Sequence, residues 1–294
     1  MKNPIILAGL GYFIFAMIDL LAKILTVTMN TYQIAGQSAL YVSIISIVYY
    51  IFIKKIDLKF SLDKVMWYLS YITSNAINIV GLFWLLSKTT QSQIYPILLM
   101  MPFVIPFLAF IHKRVSIPFI DYPFLLFSFC GVVLIVGFSP NLDILTLTVT
   151  LIVMLLASMR AYSNNQLQGE VSSVYLIVGS QFLLFILTFL FFKNDQALFV
   201  NFESSLIILV ISVFATMAMG IMIYVYTVGI PHLIAAMQYT QLIWGVFFGY
   251  LFFQETLSTL QLLGIFMVIS SGVIFAAFGK NIRAMRIRKM AFRM

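Results

Sequence analysis

The sequence predicts an all-α integral membrane fold of ten transmembrane helices, built as two inverted five-helix repeats. Three observations carry this. Ten apolar stretches, each near the roughly 20 residues that cross a bilayer core, fill the 294-residue chain almost end to end. Charged residues make up only 9% of the chain and hydrophobic ones 63%, against about 25% charge in a soluble domain, so its outside must face lipid. The stretches also fall into two similar sets of five, and an odd number of spans per set turns the two sets in opposite directions. A β-barrel would show short alternating segments, whereas these runs are continuous.

The spans are read at 5–24, 32–53, 65–87, 91–111, 119–138, 144–161, 173–192, 205–227, 232–253 and 259–279. The first is long and lacks a small-residue cleavage site, so it is expected to be retained. Polar or turn clusters separate the others: IKKIDLKFSLDK after the second, IHKRVSIP after the fourth, FSPNLD after the fifth and FKNDQALFVNFES after the seventh. The sixth is the shortest and runs into RAYSNNQLQGE, polar enough to be a helix end or a loop. This gives a first repeat over 1–141, a second over 142–279 and a basic tail over 280–294. The single cysteine, Cys130, lies in the fifth span as a core or lipid-facing residue and permits no internal disulfide.

Orientation follows from the basic residues. With the N-terminus inside, the inner loops and tail hold Lys2, Lys54, Lys55, Lys59, Lys64, Lys113, Arg114, Lys280, Arg283, Arg286, Arg288, Lys289 and Arg293, thirteen of the 17 Lys and Arg residues. The outer side holds Lys88 and Lys193, with Lys23 expected to snorkel outward from the end of span one. The expected location is therefore the cell membrane of a bacterium, its inner membrane, with both termini cytoplasmic. The net charge of +8 sits in loops and tail and serves topology, not nucleic acid.

The two sets can be overlaid. FIHKRVS with Gly131 beyond it matches FFQETLS with Gly272, and FAMIDLLAKI with Asp19 matches LASMRAYSNNQ with Arg160. The five-plus-five arrangement and the stretch YTQLIWGVFFGYLFFQETLSTLQLLGIFMVISSGVIF resemble the EamA-type transporters of the drug/metabolite transporter superfamily, whose repeats close with an apolar helix, a short turn carrying Glu and a Gly-containing helix. Glu255, Gly264 and Gly272 fit that pattern; the first half departs from it, with Lys113 at the position of the Glu. The resemblance implies carriage of small metabolites such as amino acids, nucleosides or cofactor-like compounds, in either direction. Inverted repeats independently point to a secondary transporter with its site near mid-membrane.

Asp19 and Arg160 lead the candidate site residues, because an ionisable group within a span is costly and faces the bundle interior or a water-filled cavity. Their matched positions let them pair across the pseudo-twofold axis; an ion pair locking the halves and a substrate or proton site are both open readings. Tyr71, Asn75, Asn78 and Gly81 share one face of span three, either for interhelical bonding or as a cavity wall. Tyr95 precedes Pro96, Pro102 and Pro106 in span four, and three prolines make it the helix expected to break or flex. Span nine is its counterpart, with Gln238, Tyr239, Gln241 and Trp244 followed by a GxxxG pair, Gly245 and Gly249, suited to close packing. Tyr239 and Gln241 cannot face the same way, so only part of this cluster lines a cavity. Gln37 and Gln181 are polar positions in spans two and seven. His112 and His232, at helix ends, read as solvated, and Glu255 reads as a turn or cap residue.

The sequence carries no HExxH, GxSxG, phosphate loop or Cys/His metal spacing, so a membrane enzyme has no motif behind it. A channel would need a ring of like groups about an oligomer axis. The partners implied are a small-molecule substrate and the lipid bilayer, with protons carried on Asp19 or facilitated exchange as alternative coupling modes. No nucleic acid, cofactor or metal is called for, and a monomer and a homodimer fit equally.

Overall fold

The computed structural model describes residues 4–52, 60–89, 91–113, 122–137, 143–190, 201–271 and 274. Secondary structure among them is entirely helical. Six helices are long and apolar enough to cross a membrane: α1 (Pro4–Leu25), α2 (Thr31–Phe52), α3 (Val65–Lys88, preceded by a 3-10 turn at Leu62–Lys64), α7 (Ile144–Leu167), α8 (Ser173–Leu190) and α9 (Phe202–Val228). Spans four and nine of the sequence reading are not continuous. Each is a pair of shorter helices, α4 (Gln91–Leu98) with α5 (Met101–Lys113) and α10 (Pro231–Ala236) with α11 (Tyr239–Phe253). Spans five and ten correspond, as far as the described residues go, to α6 (Tyr122–Gly137) and α12 (Thr259–Ser271). Lys2, Lys54, Lys55, Lys59, Arg114, Lys193, Gly272 and the basic tail lie outside the described residues.

The α4–α5 break follows from the prolines. Pro102 sits in the first turn of α5, where a missing N–H costs least, and it cannot bond back to the preceding turn. The chain turns at Leu99 and Met100 instead, with Met100 N–H bonding to Ile97 O (3.1 Å) and Phe103 N–H to Met100 O (3.0 Å). Pro106 stays inside α5 and Pro96 inside α4. The α10–α11 break has no proline. It is a run of tight bonds to the third residue back, Met237 N–H to Ile234 O and Gln238 N–H to Ala235 O, both 3.0 Å.

Elsewhere local chemistry sets helix ends. Asp143 caps α7 by accepting from Thr146 N–H (3.1 Å), and Asn201 caps α9 through Ser204 N–H (2.9 Å). Thr146 holds the Asp143 carboxyl below the usual carboxylate range. The sign is that of a stabilised anion: the cap contributes above the ordinary carboxylate pKa and is lost as pH falls through the lowered value. The polar stretch after residue 161 belongs to the helix: α7 continues to Leu167 and stops at Gln168, which is left-handed at φ 51°.

Packing runs in a recurring scheme. α1 lies along α9 as α7 lies along α3; α3 lies on α8 as α9 lies on α2; α1 touches α11 as α7 touches α5; α2 meets α8, and the two broken spans meet each other, α10 on α5 and α11 on α4. Close approaches use glycine. A Cβ at Gly131 would stand 2.7 Å from Gly264 O, joining α6 to α12, and one at Gly245 would stand 2.7 Å from Tyr95 Cδ2, a ring that is buried. The GxxxG glycines of span nine thus admit Tyr95 and, at Gly249, the Glu255 carboxylate. Gly245→Val is expected to overpack this contact by about 1–3 kcal/mol and lower the melting temperature; an unchanged melt would show that the Tyr95 ring is not confined.

Candidate functional site

The faces of α1, α2, α3, α7, α8 and α9 and the two breaks surround one cavity of about 110 Å³. Its wall includes seven residues singled out from the sequence: Asp19, Asn75, Asn78, Tyr95, Arg160, Gln181 and Gln241. A mostly apolar wall with a few convergent polar groups is the usual form of a small-molecule site.

Asp19 is 2% exposed and accepts two hydrogen bonds, from the Tyr95 hydroxyl on α4 and from Gln241 Nε2 (2.7 Å) on α11. Both donors are neutral. Among the described residues no cation lies within ion-pair distance of this carboxylate. One group on α1 is therefore held by both interrupted spans at once. Tyr239, two positions before Gln241, points elsewhere and donates to Leu99 O (3.2 Å), one of the carbonyls exposed by the α4–α5 break. It ties the broken spans together and is not part of the cavity wall.

Arg160 is half-buried on α7 and donates from Nη1 to Asn75 Oδ1 (2.9 Å). Asn75 in turn donates to Ser180 Oγ (3.0 Å), and Asn78 donates to Val153 O (2.8 Å). The amides of span three therefore do both things the sequence left open: they bond between helices and they line the cavity. Among the described residues Arg160 too has no ion-pair partner. The expected Asp19–Arg160 ion pair does not form.

Two other candidates, Tyr71 and Gln37, are displaced from the cavity. Tyr71 packs in a cluster with Leu176, Ile177 and Met219. Gln37 is fully buried away from the cavity, with neither amide atom hydrogen-bonded, and its neighbour Ser38 faces the cavity instead. One residue is about 100° around a helix, which the periodicity of a nearly all-apolar span cannot resolve. Gln181 reaches the wall and contacts Met219 Sδ at 3.5 Å. Tyr12 and Gln238 also line the cavity. Tyr12 had a signal: it is seven residues before Asp19, two turns back on the same face.

Beyond the cavity lie two closures. Lys23, at the end of α1, forms an ion pair with Glu255 after α11, and its ammonium also lies 4.5 Å from the centre of the Phe253 ring. These residues bind each other, and the Glu255 N–H also closes the turn after α11 on Gly249 O (3.1 Å), as its reading as a turn residue expects. Toward the opposite ends His112, packed edge-on against Trp67, bonds Tyr162 (2.9 Å), and the cavity-lining Tyr12 shares a hydrogen bond with Tyr226 (2.9 Å). Lys64 there pairs with Glu170 at 3.5 Å. Cys130 is exposed on α6.

No family profile and no curated protein matches the chain. Among solved structures, one titled only "Crystal structure of protein" superposes with a TM-score of 0.71 at 10% identity, covering 94% of this chain and 98% of that one. At that identity the likeness shows the fold alone.

Proposed function

We propose that the chain is a carrier of the EamA-type, moving a small metabolite such as an amino acid or a nucleoside- or cofactor-like compound across the cytoplasmic membrane by alternating access. The observation that carries this reading is the Asp19 cluster: an ionisable group in the middle of a bundle, at a cavity, held by two interrupted helices. Discontinuous helices meeting at mid-membrane are the construction secondary transporters use for their sites. The exchange symmetry of the packing supports two inverted repeats of five spans, with α4–α5 and α10–α11 each acting as one broken span and α6 and α12 completing the count. In this reading both termini are cytoplasmic, the Lys23–Glu255 closure faces outside and the His112–Tyr162 closure faces the cytoplasm.

Reconstitution tests it. In liposomes loaded with a metabolite panel, saturable uptake that is accelerated by solute on the far side is expected; non-saturating conductance would indicate a channel and chemical turnover an enzyme. The cavity itself is tested by labelling. In a Cys130→Ser background, cysteines introduced at 75, 78 and 95 should react with a small water-soluble thiol reagent and be protected by the transported solute. If they are inert under all conditions, the stripe on α3 serves packing only. Pro102→Ala should slow exchange several-fold while leaving affinity within about twofold, because it alters the break between α4 and α5.

A further inference from the structure

We infer that the cavity takes an elongated dipolar solute, with a cationic group at one end for Asp19 and an anionic group at the other for Arg160. The inference rests on the carrier reading for its biological meaning and on the two charges for its chemistry. Each charge lies at the cavity, each is bound only by neutral groups, and among the described residues neither meets an opposite charge. Charges in a low-dielectric bundle are costly until paired, so a ligand that supplies both partners is favoured over one that supplies either.

The spacing selects the length. Tyr12 packs in one cluster with Ala157 and Ala161, the α7 residues that flank Arg160, and it is seven residues before Asp19 on α1, about 10 Å along the axis. Charge-assisted hydrogen bonds take up about 2.8 Å at each end, which leaves the ligand's own charges about 5 Å apart or more. An α-amino acid carries ammonium and carboxylate on one carbon and cannot reach both. The amides of Asn78 and Gln181 line the stretch between.

The test uses the purified full chain in detergent and calorimetric binding of glycine, 4-aminobutyrate, 6-aminohexanoate, hexylamine and hexanoate. 4-Aminobutyrate and 6-aminohexanoate, whose charges can both stand about 5 Å apart or more, should each bind at least tenfold more tightly than glycine, and 6-aminohexanoate at least tenfold more tightly than either singly charged analogue. Arg160→Gln should lower its affinity to that of hexylamine and leave hexylamine unchanged. Asp19→Asn should lower it to that of hexanoate and leave hexanoate unchanged, and the unaffected analogue shows that each variant is folded. Arg160→Lys should keep most of the preference. Equal binding of glycine, equal binding of a singly charged analogue, or no binding across the series would overturn the inference. Counterflow in liposomes separates it from the carrier reading: the length order without counterflow of any solute rejects the carrier, and counterflow of a metabolite without the length order rejects only the elongated ligand.

Discussion

Asp19→Asn is expected to cut counterflow by about tenfold or more while leaving the protein at least as heat-stable as the wild type. The two effects have one origin. The Asp19 carboxylate is buried with only the Tyr95 hydroxyl and the Gln241 amide as partners. Removing a partner from a buried hydrogen-bonded charge pair costs about 2–5 kcal/mol of binding, so a solute or proton that uses this charge loses its anchor. The fold loses nothing comparable, because an uncompensated buried charge is itself a burden. The amide oxygen still accepts from Tyr95. Asp19→Glu should recover part of the activity, since it restores the charge with a longer stem. Melting curves beside counterflow rates check this, and a variant that unfolds in proportion to its loss of activity would make Asp19 a structural residue.

The second large effect is at the Lys23–Glu255 pair. Its side chains are 13% and 9% exposed, so both charges are largely withdrawn from solvent. Lys23→Met leaves the Glu255 carboxylate against Gly249 without its cation, and Glu255→Gln leaves the ammonium beside the Phe253 ring alone. Each single change is expected to cost about 3 kcal/mol, at the low end of the range for breaking a buried pair because some solvent reaches it. The double variant Lys23→Met/Glu255→Met should recover most of the loss, and a strictly additive double-mutant cycle would show that the pair contributes no coupling.

The polar groups within spans were legible from sequence because hydrocarbon offers them nothing. Asp19, Arg160, Asn75 and Asn78 had to face inward, and they do. Their partners were not legible. Asp19 and Arg160 correspond by order within the repeats, which suggested contact. In the inverted repeat proposed above, however, the axis lies in the membrane plane and carries an off-centre residue to the same depth on the other side. Equivalent positions then stand apart, and the charges bind Tyr95 with Gln241 and Asn75 instead. Helix rotation hid the rest: Ser38 rather than Gln37, and Gln241 rather than Tyr239, reach the cavity. The span-four break was announced by its prolines. The span-nine break was not, since its turn is made of backbone bonds at Met237 and Gln238 that no residue type marks.

Alternating access is tested most directly by two-sided labelling of one residue. Asn78 lines the cavity between the two closures. With Asn78→Cys in the Cys130→Ser background, in sealed oriented vesicles, a membrane-impermeant thiol reagent should modify the cysteine from either face. When positions 23 and 255 are also cysteines and are joined by a short bifunctional reagent before labelling, modification from the Lys23 face should cease and modification from the opposite face should persist. Access from both faces after that crosslink, or from neither face before it, would contradict a carrier that opens its halves in turn around this cavity.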